Sequence, residues 1–178
     1  AGQSILIDTG NPGTRDAGRI HEVATKLAKL KKIDFLITTH FHGDHFGGAA
    51  TLAQLMPIGI VNDNGIPVRN PDRHRQDPAF VLKVRPYRSM KVDGRVVVKP
   101  GYKLPLKQDE GTSPVSLTIV AAARKFIDPP KGAKKNPLAG TVPPMKEDLS
   151  DNANSVCSLI ELGNFRFLDC GDLTWNME

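Results

Sequence analysis

The chain has 178 residues, of which 39% are hydrophobic and 24% are charged, a balance typical of one globular domain. This composition excludes a disordered or collagen-like chain, and no segment approaches the ~20 consecutive apolar residues that a membrane-spanning helix needs. The net charge of +5 slightly favours anionic partners.

The first part of the chain predicts a strand, a helix and a second strand. Residues 4–8 form an apolar run that stops at a turn rich in glycine and proline, so Asp8 lies at the end of a buried strand. From Asp16 onward, apolar residues recur every three or four positions as far as Leu30, which predicts an amphipathic helix. Residues 35–39 are again apolar and β-branched. The pattern is typical of a βαβ unit.

The middle of the chain predicts further short elements and two polar loops. Apolar runs and turn signals predict helices over residues 49–56 and 77–89 and strands over residues 58–61, 95–99 and 115–122. Two segments are predicted to be loop insertions, residues 62–93, which include the second of these helices, and residues 127–151.

Two apolar segments near the end of the sequence predict a β-hairpin. The Gly163-Asn164 pair that separates them is a favoured two-residue turn, and it sets a register that places Cys157 opposite Cys170. The two cysteines fall on a non-hydrogen-bonded pair, where the strands approach closely enough for a disulfide. Two buried free thiols are nevertheless the favoured interpretation, because free cysteine behaves as a small apolar residue.

Four side chains that can bind metals lie within six residues directly after the second predicted strand. They are His40, His42, Asp44 and His45. Packing alone does not explain them, because each buried imidazole or carboxylate needs a polar partner, which a divalent metal can supply. His40 and His42 can point the same way and bind one ion. Asp44 and His45 begin the next helix and can approach a second ion from another side.

The motif His40-x-His42-x-Asp44-His45 after an apolar strand resembles the signature of the metallo-β-lactamase superfamily. Asp8 is similar to the first motif of that family, in which an aspartate orients the histidine loop. Asp172 is similar to the fourth motif, in which an aspartate at a strand end bridges two metals.

This resemblance implies an α/β fold, the αββα sandwich of the superfamily. We expect residues 1–178 to form a single domain of this kind, truncated at both ends and holding the amino-terminal half to two-thirds of the sandwich. Many superfamily members place a third histidine of the first metal site near Ser155, where this chain has none. We therefore expect that site to use fewer protein ligands, or to borrow Asn154, Ser155 or water.

The resemblance also implies hydrolysis by a metal-bound hydroxide, with Asp44 orienting the hydroxide as a catalytic residue. The expected cofactor is one or two zinc ions, with manganese or iron as alternatives. Residues 152–172 are similar to the soluble domain of DNA-uptake competence proteins, which favours a phosphodiester or nucleotide substrate, makes nucleic acid a candidate partner and implies a secreted or periplasmic location. Hydrolysis of an ester, lactone or β-lactam and a non-catalytic metal-binding domain are the alternatives. The oligomeric state stays open.

Overall fold

Two four-stranded sheets form the centre of the computed structural model, which describes residues 2–134, 137, 140–141, 143, 145–175 and 177. In chain order, the elements are β1 (Ile5–Ile7), α1 (Thr14–Glu22), β2 (Ile33–Ile37), α2 (Gly43–Phe46), α3 (Ala49–Leu55), β3 (Ile58–Asp63), α4 (Phe80–Ser89), β4 (Gly94–Val97), β5 (Val115–Ala122), β6 (Lys125–Phe126), β7 (Cys157–Leu162) and β8 (Phe165–Asp169). The predicted α/β class and the βαβ unit are confirmed.

The first sheet is parallel and has the order β1-β2-β3-β4. Its strand β2 is apolar on both faces because both faces are covered, as is usual for parallel sheets. Leu36 packs with the helices in one core, whereas Phe35 and Ile37 pack in a second core with Leu117 and Ile119 of the other sheet. The order of layers is therefore helices, parallel sheet and second sheet.

The second sheet is antiparallel and has the order β6-β5-β7-β8. The hairpin of β7 and β8 has the predicted register, and Glu161 pairs with Arg166 across it. The preference for free thiols is wrong, because Cys157 and Cys170 are joined by a disulfide. The turn composition determined which residues lie opposite each other, whereas the oxidation state depends on the close approach of the two strands.

The first helix departs from the predicted pattern near its end. It begins at Thr14 and continues beyond Glu22 as a π-helical segment, Val23–Leu27. A π-helical turn contains more residues than an α-helical turn, so it rotates the following side chains away from the apolar stripe. Leu27, at the end of this segment, is consequently 75% exposed, although its spacing predicted burial.

The disulfide is directly testable. We expect thiol titration of the denatured, unreduced protein to detect no free thiol, because both cysteines are paired. Reduction should lower the free energy of unfolding by about 3 kcal/mol, the loop-closure contribution of a cross-link over a loop of about this length. In a Cys157→Ala/Cys170→Ala variant, the reductant should have no effect. Two titratable thiols in the unreduced protein would contradict this pairing.

Candidate metal centre

The histidine loop begins where β2 ends at the carboxyl edge of the parallel sheet. His40 is completely buried there, His42 caps α2, and Asp44 and His45 lie within that short helix. The loop packs tightly against the segment after β1, since a Cβ atom on Gly48 would lie 2.2 Å from the backbone oxygen of Thr9. Only glycine allows this approach.

Asp8 lies directly behind the histidines. It has a left-handed backbone, with φ of 58°, which is uncommon for a residue other than glycine and recurs at functional sites. One of its carboxylate oxygens accepts a hydrogen bond from the Thr39 amide at 2.8 Å. The other accepts bonds from the Thr39 hydroxyl at 2.7 Å and from His45 Nδ1 at 2.6 Å. The carboxylate therefore joins the ends of β1 and β2 to α2.

Hydrogen bonds assign the ring proton of each of the three histidines to the nitrogen that faces away from the centre. The Thr39 hydroxyl gives its only proton to Asp8, so it accepts one from His40 Nδ1, 3.0 Å away. His45 Nδ1 donates to Asp8, and His42 Nε2 donates to Asp72 Oδ1 at 2.9 Å. Such outer partners orient the ring and leave the inner nitrogen free to bind a metal.

The inner nitrogens of His40 and His42 face each other. His40 Nε2 and His42 Nδ1 are 3.1 Å apart, and with the proton assignment above, two lone pairs meet at that distance. A cation between them removes this repulsion, and neighbouring ligands of a tetrahedral metal are about 3.3 Å apart when each bond is about 2.0 to 2.1 Å long. Burial, together with the neighbouring imidazoles, lowers the pKa of His40 to about 4, so this ring is neutral at pH 7. The donor set therefore fits a divalent metal.

Asp172 and Asp44 complete the cluster on its solvent side. A Cβ atom on Gly171 would lie 2.7 Å from the side chain of Thr39, so this glycine brings the chain close to the histidine loop. Asp172 Oδ2 lies 3.5 Å and Asp44 Oδ2 lies 3.9 Å from His45 Nε2. Ligand atoms of His40, His45 and Asp172 all lie within 4.8 Å of one another. Both carboxylates are exposed, so water and substrate can reach this side.

The side chains of Asn154 and Ser155, the two residues expected as substitutes for the missing histidine, differ in their hydrogen bonds. The amide nitrogen of Asn154 donates to Asp151 Oδ1 at 2.8 Å, which leaves the amide oxygen as the atom that can bind a metal. The hydroxyl of Ser155 is buried and has no hydrogen-bond partner in the described part of the chain. The amide of the next residue, Val156, donates to the Thr39 carbonyl oxygen at 2.8 Å, which brings this segment beside the histidine loop. Both residues therefore keep an oxygen that can bind a metal, and that of Ser155 is buried without a partner in the described residues.

Sequence reasoning missed two aspartates, and both come from the predicted loop insertions. Asp72 accepts the proton of His42 and also the backbone amide of Asp151, the latter at 2.8 Å. Asp151 is 1% exposed and accepts the Phe41 amide at 2.6 Å. No local spacing marks either residue as part of the site, because their partners in the histidine loop, His42 and Phe41, lie 30 and 110 positions away in the sequence. His74, in the same loop as Asp72, is exposed.

The comparisons with known proteins agree with this geometry. The family model of the metallo-beta-lactamase superfamily matches residues 1–148, so the chain belongs to that superfamily. The matched region contains Asp8 and the whole histidine loop, whereas Asp172 lies beyond it. None of the described helices is long and apolar enough to cross a membrane.

Two relatives are named UPF0173 metal-dependent hydrolase. The chain is 38% identical over 68 residues to the protein from Cupriavidus metallidurans and 35% identical over 68 residues to the one from Cupriavidus necator. Each alignment covers 36% of this chain but only 21% and 22% of the respective relative. The chain thus matches about a fifth of the length of these proteins.

Asp72 offers a test of how His42 is positioned. We expect Asp72→Ala to weaken zinc binding by about 10- to 100-fold, the usual effect of removing the outer partner of a metal-binding histidine. Asp72→Asn keeps an oxygen that can accept both hydrogen bonds, so its loss should be smaller. The affinity is measured by competition with a chromophoric chelator, with Asp77→Asn as the control from the same loop. Equal affinities in Asp72→Ala and the wild type would show that Asp72 does not support the site.

Proposed function

We propose that this chain is a metal-dependent hydrolase that binds one or two zinc ions through His40, His42, Asp44, His45 and Asp172. The observation that carries this proposal is the orientation of the three imidazoles, each bound from behind by an oxygen atom with its other nitrogen facing the cluster. Zinc suits a site rich in imidazole, while manganese and iron remain alternatives because two carboxylates take part. We further propose that residues 1–178 act as one domain, with residues 62–93 and 127–151 as insertions.

Different residues of this chain have different roles in the proposed reaction. When bound, a divalent cation lowers the pKa of water and polarises the oxygen of a substrate ester. Asp44 is 61% exposed at its side chain, so its carboxylate can accept a hydrogen bond from the attacking water and take up its proton. Asp8 and Thr39 hold His40 and His45 in place, so the ligands do not need to reorganise during the reaction.

A phosphodiester or nucleotide is the substrate class that we propose. Support comes from the net charge of +5, which attracts anions, and from the similarity of residues 152–172 to the DNA-uptake competence proteins. This similarity also makes nucleic acid a candidate partner. The same cluster could cleave an ester, lactone or β-lactam, since metal ions about 3.5 to 4 Å apart suit both acyl and phosphoryl transfer.

We also propose that the protein works outside the cytoplasm, in a secreted or periplasmic setting. The Cys157–Cys170 disulfide supports this location, because disulfides persist in oxidising compartments.

The metal content of the purified protein distinguishes a metal-binding centre from a histidine cluster that binds no metal. Elemental analysis of the purified protein should find about two metal ions per chain, as expected for a dinuclear hydrolase. His42→Ala should retain about one or fewer, because it removes a nitrogen ligand. His74→Ala, which changes an exposed histidine in the nearby loop, should retain the wild-type content. Wild-type protein that binds no metal when supplied with zinc would overturn the proposal.

Activity tests the catalytic assignment and the substrate class. We expect zinc-loaded protein to hydrolyse bis(p-nitrophenyl) phosphate faster than p-nitrophenyl acetate or nitrocefin. Asp44→Asn should lower kcat by about 10²- to 10⁴-fold, the usual contribution of a group that takes up a proton. Asp128→Asn, an exposed carboxylate in the second insertion, serves as the control.

The other outcomes identify the alternatives. Turnover of the acetate or of nitrocefin alone would replace the phosphodiester with an acyl substrate. Metal binding without turnover of any of the three would favour a non-catalytic metal-binding domain.

A further inference from the structure

A cavity of about 480 Å³ adjoins His42 on the side of the helices. It lies between the α2–α3 segment and α4, and the loop that carries Asn70 and Arg75 forms part of its wall. Its floor is aromatic and consists of the small parts of Phe46, Phe80 and Tyr87 that face the cavity, since each of these residues is at most 5% exposed. A concave, mainly apolar space of this volume is the usual form of a small-molecule site.

The cavity lining contains two cations, Arg75 and Lys83, and one carboxylate, Asp77, so positive charge is in excess there. Lys83 Nζ donates to Asp77 Oδ2 at 2.7 Å, so these two charges offset each other. Arg75 also lines the cavity. The Lys83 hydrogen bond has the largest effect in lowering the pKa of Asp77, and the positive charge of Arg75 helps to lower it, but the Arg75 guanidinium group forms no ion pair within 4.0 Å in the described part of the chain. Arginine binds carboxylate and phosphate groups through two parallel hydrogen bonds. The wall therefore offers an arginine that can bind an anion above an apolar floor.

The loop that carries Arg75 is connected to the candidate metal centre. Asn70 Nδ2 donates to the Arg75 carbonyl oxygen at 2.7 Å, and Asn70 Oδ1 accepts the amide of Asp72. Asp72 in turn accepts the proton of His42. His42 thus belongs to both the metal cluster and the cavity lining. One short loop positions His42 through Asp72 and also carries Arg75.

We propose that this cavity binds a small organic anion, with a compact aryl or alkyl body on the aromatic floor and a carboxylate or phosphate group on Arg75. The inference deepens the proposed function and rests on it in one respect: the cavity would hold the non-reacting part of a substrate whose scissile bond lies beyond His42. Binding itself does not depend on turnover, so it can be tested separately.

The test uses ligands that contain no scissile bond. Binding of 3-phenylpropionate, 2-phenylethylphosphonate and the neutral 3-phenylpropanol to the purified chain is measured by titration calorimetry. We expect both anions to bind at least about tenfold more tightly than the alcohol, because a charged hydrogen bond outweighs a neutral one. The tighter of the two anions identifies the anionic group that the site prefers.

Three variants locate the bound ligand. Arg75→Gln should remove the preference for anions, whereas Arg69→Gln, an exposed cation outside the cavity lining, should leave it unchanged. Ala50→Leu places a larger side chain of high helix propensity in the cavity wall and should reduce affinity by more than tenfold. If this variant does not fold by circular dichroism, Arg75→Gln alone decides.

Two results would overturn the inference. The first is equal affinity for the alcohol and the anions, or no binding of any of them to the wild type. The second is unchanged anion binding in Arg75→Gln, which would place the anion on another group, such as a metal ion in the cluster. Neither result bears on hydrolysis, so the proposed function and this inference can fail separately.

Discussion

The carboxylate of Asp8 is the interaction on which the site depends. The parallel pairing of β1 with β2 brings Asp8 beside Thr39, and the left-handed backbone at Asp8 turns the chain there. Three protons then converge on one carboxylate, from the Thr39 amide, the Thr39 hydroxyl and the His45 ring. Without it, the Thr39 hydroxyl could donate to His40 instead of accepting, and the proton on that ring would move to the nitrogen facing the cluster. Asp8 and Thr39 thus determine which nitrogen of the His40 ring carries the proton and which can bind a metal.

A second constraint comes from the two insertions, which are hydrogen-bonded to each other and to the histidine loop. The Arg73 amide donates to the Leu149 carbonyl oxygen at 2.7 Å, and Asp72 joins both His42 and the Asp151 amide. Buried Asp151 is costly as a charge, and its pKa is raised mainly by burial, with hydrogen bonds from Asn154 and Phe41 opposing the shift. A buried polar network is rigid when each of its groups has a hydrogen-bond partner. These two segments are therefore part of the site and not only surface loops.

The features that could be predicted from the sequence are those with a local cause. The βαβ unit follows from apolar runs and helical spacing, and the hairpin register follows from one turn. The histidine loop is visible because its ligands are adjacent in the chain. Asp72 and Asp151 could not be predicted, because a loop aspartate acquires its role only from a partner that tertiary folding brings to it. The exposed Leu27 was missed because a π-helical segment breaks the period on which the prediction relied.

The number of ions in the proposed centre depends on its charge balance, and we propose two. The carboxylates of Asp44 and Asp172 lie at its open side, and those of Asp8 and Asp72 lie behind the imidazoles. The His40 ring is neutral at pH 7 and cannot offset them. The hydrogen bond to Asp8 raises the pKa of His45, so that this ring offsets part of the negative charge only while it binds no metal. Four negative charges in this small volume repel one another unless cations balance them, and two divalent ions supply the matching charge. A single ion would leave the centre anionic and would repel the phosphodiester that we propose as its substrate, whereas two ions leave it close to neutral.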